Sequence, residues 1–131
     1  MKDELLQLFA TPLLITKYKG SLERETNYIN NLPYIEQKGN GNFKTKDSYL
    51  LEIEELKNIK NFIYESINKF TKDILQSDQR LVVTQCWANK NPPGSKHHEH
   101  VHPNSILSGV FYLVQDKTLP PIQFQKTIQA A

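Results

Sequence analysis

Only one of the 131 residues is a cysteine, Cys86, so no intramolecular disulfide can form, and such a chain suits a reducing compartment, the cytoplasm. Long apolar runs are missing: nothing approaches the roughly 20 residues that span a bilayer. The opening Met1-Lys2-Asp3-Glu4 carries acids and lacks a long apolar core, unlike a signal peptide. There is no block of one charge either. Sixteen basic and fourteen acidic residues leave a net +2, spread along the chain, which argues against a nucleic-acid partner. Repeats and low-complexity tracts are absent as well. A hydrophobic share of 38% is lean, but at this length it suffices for one core, so a single domain over 1–131 is expected.

What is present changes character midway. Leu13–Thr16 reads as a short strand after Pro12, and Ser21 is placed to cap a short helix running to about Asn31, where Leu32-Pro33 stops it. Gly39–Asn42 reads as a loop, since Gly and Asn tolerate positive φ. Ile53, Leu56, Ile59, Ile63, Ile67, Phe70 and Ile74 then recur at spacings of three and four, which predicts a helix over 51–75 with one apolar face against a sheet. After Asp78 the β-branched and aromatic residues of Leu81–Trp87 and Leu107–Val114 read as strands, with Ile122–Phe124 a weaker third. A helix-rich half (1–78) followed by a strand-rich half (79–131) predicts an α+β fold in which a long helix backs an antiparallel sheet.

All four histidines fall within His97–His102. In an extended segment side chains alternate, so His98, His100 and His102 share one face while His97 takes the other. Imidazoles two residues apart stand about 7 Å apart at Cβ and can reach one ion; neutral imidazole suits Fe(II), Zn, Ni and Cu. The bland reading is a solvated loop with chance histidines. A hydrolase reading built on Ser105 and Ser108 lacks both a nucleophile elbow and an acid partner. Cys86, next to Trp87 on an apolar stretch, reads as a small core residue.

The segments Gln85–Asn89, Asn91–Gly94, His97-x-x-His100-x-His102-Pro103-Asn104-Ser105 and Leu107–Leu113 resemble a family of iron(II)/2-oxoglutarate oxygenases found in phages and marine bacteria. Leu8–Leu13, Gly39–Gly41 and Tyr49–Leu51 extend the likeness upstream, and its densest part runs from Trp87 to Tyr112. The resemblance implies a double-stranded β-helix (a cupin-like jelly roll), with Fe(II) and the small molecule 2-oxoglutarate as cofactor and co-substrate. It also implies that His100 and His102 form the proximal metal pair, His102 standing where an acid is usual; His98 with His100 is the alternative. His97 matches a family position beside the metal or co-substrate. Tyr112 and Asn89 are the implied co-substrate contacts, against a core-packing role for the tyrosine and a strand-ending role for the asparagine.

The chain departs from the family after Phe124. From Pro103 onward it holds neither histidine nor arginine, whereas the family implies a distal histidine and an anion-binding arginine or lysine on later strands. The expectation is therefore a partial jelly roll, truncated relative to the family, whose third ligand must come from His98, Asp116 or a second chain. Exposed strand edges then predict a homo-oligomer. Two functions follow: an oxygenase, inactive if the missing groups are essential, or a non-catalytic metal-binding or interaction module retaining part of the fold.

Overall fold

The computed structural model describes residues 3–5, 8–114 and 116–126. The chain divides into two units, Met1–Glu99 and His100–Ala131. Among the described residues, the first holds every regular element: helix α1 (Glu23–Asn30), strands β1 (Tyr34–Gln37) and β2 (Asn42–Thr45), two 3-10 turns (Leu50–Glu52 and Glu54–Leu56), helix α2 (Lys57–Asp73) and strand β3 (Asn89–Lys90). The architecture of the described residues is α+β, with two helices and a three-stranded antiparallel sheet ordered β1-β2-β3. Among the described residues no helix is long and apolar enough to cross a membrane.

Helix α1 begins one residue later than a Ser21 cap would place it. Leu22 occupies the cap position, and the Ser21 hydroxyl lies 3.4 Å from the Glu23 amide, a long contact. Glu23 and Glu25 in the first turn complement the helix dipole. The α2 stripe is also shorter than its spacing predicts. Ile53 takes an extended backbone (φ −81°, ψ 125°) between the two 3-10 turns, so the α-helix proper starts at Lys57. Its end is closed by the Ser77 N–H donating to the Thr71 carbonyl (3.1 Å) around Gln76, at φ 48°.

The core sits where α1, the 3-10 turns and α2 meet: Ile29, Leu50, Leu51, Leu56 and Ile59 are its buried apolar side chains. Helix α2 packs chiefly on these turns, where a sheet was expected, and Ile74 at the far end of the stripe is 44% exposed. Glu25, buried on α1, accepts a 2.7 Å hydrogen bond from the Asn58 amide of α2, which fastens the two helices.

The sheet hangs from the end of α1. The Tyr34 hydroxyl donates to the Ile29 carbonyl (2.9 Å), and the Lys90 ammonium donates to the Asn30 carbonyl (2.7 Å) while lying 4.2 Å from the Tyr34 ring. A cation at a helix C-terminus is favoured by the dipole. β2 pairs with β1 in the register Tyr34–Thr45 to Gln37–Asn42, and with β3 through Phe43–Lys90 and Lys44–Asn89. Thr45 Oγ1, buried, donates to the Asp47 carbonyl and accepts from the Ala88 N–H, and Tyr49 bridges to Cys86 in parallel, so residues 45–50 run beside 86–88.

Several expected strands are not present. Leu13–Thr16 forms none, and Leu13 and Ile15 are exposed. Of Leu81–Trp87 only Cys86 makes a bridge, and Val83 N–H instead donates to the Tyr64 hydroxyl of α2. In the second unit Leu107–Val114 and Ile122–Phe124 form no ladder among the described residues; that unit carries turns only. β-propensity describes how a residue fits a pleated neighbour, and without a paired strand it does not produce one.

Candidate metal centre

The β1–β2 turn positions the first half of the histidine segment. Gly39 (φ 84°) and Gly41 (φ 71°) supply the left-handed backbone that this tight reversal needs, and the Asn40 N–H closes it on the Gln37 carbonyl at 3.1 Å. A second turn, Pro92–Ser95, closes with Ser95 N–H on the Pro92 carbonyl (3.0 Å), with Gly94 at φ 83°. It brings Ser95 against Gly41, where a Cβ would stand 3.8 Å from the serine Cα. The Lys96 N–H then donates to the Asn40 carbonyl at 2.7 Å.

From there two imidazoles meet three carboxamides. His97 Nε2 lies 2.7 Å from Asn91 Oδ1 and 3.2 Å from the amide nitrogen of Asn42. His98 Nδ1 lies 3.4 Å from the Asn40 amide nitrogen. Asn42, only 2% exposed, is among the most deeply buried side chains, and its Oδ1 has no partner. These asparagines were not singled out by sequence reasoning. Asn40-Gly41 between Tyr34–Gln37 and Asn42–Thr45 is, however, a two-strand hairpin signature that could have located them.

His100 and His102 belong to the second unit. Their rings stand 5.0 Å apart, centre to centre, at 78°. That is an edge-to-face ring contact; the donor chemistry of two neutral imidazoles suits a divalent metal. Among the described residues no set of three His, Cys, Asp or Glu side chains gathers around one point. Asp116, weighed as a third ligand, accepts from the Thr118 N–H (2.8 Å) and hydroxyl (2.6 Å); these bonds hold its carboxyl below the usual range.

The implied co-substrate contacts lie in different units. Asn89 opens β3 opposite Lys44 rather than ending a strand, and Tyr112, in the second unit, is 50% exposed. Cys86 is half-buried, and burial pushes its thiol up, away from nucleophile chemistry. Two open grooves, of about 570 and 380 Å³, are lined by α1 residues such as Arg24 and Tyr28 and by Lys17, Asn58 and Phe62; neither contains a predicted site residue.

No curated protein and no solved structure matches the chain. Residues 85–130, about a third of the chain and including all four histidines, match the model of a family described as "Putative 2OG-Fe(II) oxygenase".

Proposed function

We propose that this chain carries the metal-binding part of an iron(II)/2-oxoglutarate oxygenase, with 79–131 contributing to a double-stranded β-helix. The observation that carries the reading is the family match over residues 85–130, which includes His100 and His102. His100 and His102 hold Fe(II) through neutral imidazole nitrogens; His98 is the other candidate, and Tyr112 and Asn89 are the groups proposed to meet the co-substrate. Bound iron and 2-oxoglutarate would supply oxidation of a substrate C–H bond with release of succinate and CO₂. The chain's own residues bind and orient; the metal and co-substrate carry the oxidation. A reducing cytoplasm suits a protein whose single cysteine is free.

The exposed Val101, Ile106, Val110, Val114 and Phe124 of the second unit favour a second reading, an interaction module that keeps the histidine pair without turnover. An anaerobic titration with Fe(II) and 2-oxoglutarate separates the two. The oxygenase reading expects a saturable charge-transfer band that disappears in His100→Ala/His102→Ala. A folded chain with no band, binding divalent ions weakly and without preference, refutes it.

A further inference from the structure

We infer that Asn42 and Asn91 are positioning residues that fix the tautomer and orientation of His97. The shorter of the two contacts assigns the proton: at 2.7 Å, His97 Nε2–H donates to Asn91 Oδ1. Nδ1 then keeps the lone pair, on an exposed residue three positions ahead of His100. An imidazole whose one N–H is held by an oxygen, with the other nitrogen left as acceptor, is the arrangement by which outer residues orient histidines in metal sites.

Asn42 holds the same nitrogen from the protein side, at 3.2 Å. A carboxamide occupies the same space in either orientation. Turned so that its oxygen faces the ring, it gives Nε2–H a second acceptor, and its nitrogen, in the place of Oδ1, is the amide atom left buried without a partner. Such an orphan costs stability, and a leucine of nearly the same shape would avoid it. The contact with His97 is the chemistry that an asparagine provides at this position and a leucine does not. Two further contacts hold the arrangement across more than fifty residues of sequence: Lys96 N–H to the Asn40 carbonyl, and Asn40 against His98. The hairpin thus sets the direction in which the chain enters the histidine segment.

The significance for catalysis rests on the oxygenase reading; the tautomer does not. The test is long-range ¹H–¹⁵N NMR of the ¹⁵N-histidine-labelled full chain, at about pH 8. His97 is expected to be wholly in the Nε2–H form. Asn91→Asp, which keeps the acceptor, retains that form. Asn91→Leu and Asn42→Leu each introduce an observable Nδ1–H population, while slow exchange of the Lys96 amide reports that the segment remains docked. A wild-type His97 that is already a mixture or wholly Nδ1–H overturns the inference. So does an unchanged tautomer in both leucine variants. Should Asn42→Leu fail to fold, the exposed Asn91 pair decides alone. A folded wild-type chain that shows no charge-transfer band in the titration above would remove the oxygenase reading and leave this result standing.

Discussion

Truncating Leu56 to alanine and, separately, Ile74 to alanine tests where the apolar stripe of α2 is anchored. Leu56 is 1% exposed and sits at the junction of the second 3-10 turn with α1 and α2. Removing roughly three carbon groups at about 0.8 kcal/mol each gives about 2.4 kcal/mol of lost transfer energy. A residual cavity brings the total to about 3 kcal/mol. Ile74 is 44% exposed, so about half of the transfer energy and no cavity apply, or about 1 kcal/mol. With a urea slope of about 1.5 kcal/mol/M, the midpoint falls by about 2 M for Leu56→Ala and by about 0.7 M for Ile74→Ala. Trp87 fluorescence and helical circular dichroism would follow the transition with the slope unchanged. Equal shifts for the two variants, or a larger one for Ile74→Ala, would refute the placement of the core at the 3-10 turns.

Two further outcomes are expected. The Asn58 amide bonded to the Glu25 carboxylate, helped by a hydrogen bond to the residue's own backbone N–H and by Arg24, holds the Glu25 carboxyl below its ordinary value of 4.5, against the opposing effect of burial. A depressed carboxyl binds its proton more weakly when folded, so its stabilisation is full above that ordinary value and is lost as pH falls through the lowered one. Acid unfolding curves should therefore show a smaller loss between pH 6 and 3 in Glu25→Gln than in the wild type; parallel curves would rule this out. The exposed apolar side chains of the second unit, Val110 and Val114 among them, predict self-association. Sedimentation velocity should show a concentration-dependent dimer that Val110→Lys dissociates, and a monomer at all concentrations would contradict it.

The stripe was legible in the sequence because Leu56 and Ile59 do anchor α2, yet its start was not. A spacing of three serves a 3-10 turn as well as an α-helix, so Ile53 and Leu56 cannot reveal that an extended residue separates the two turns. The hairpin is hidden for a different reason: Tyr34–Gln37 mixes apolar and charged residues, so Gly39–Asn42 reads as a loop with no strand before it to link. Leu107–Val114 shows the opposite error, strong β-propensity without a ladder among the described residues. For the site, the histidines are readable from their clustering, and the family likeness from the segments that surround them. The carboxamides that hold His97 and His98 were not, since Asn42 and His97 lie 55 positions apart and neither pattern mentions the other.

The two halves of the sheet also differ in how long the chain must wait for them. β1 and β2 are joined by a four-residue turn and can pair in about 1–10 μs. β3 reaches β2 only after the intervening 46–88 stretch, containing α2, has closed a loop roughly tenfold longer, an added entropic barrier of about 2 kcal/mol. The hairpin and helix are therefore the early structure and the 86–98 segment the late one. During synthesis the platform that receives His97 can form before that histidine leaves the ribosome, so the imidazoles arrive at a surface already shaped for them.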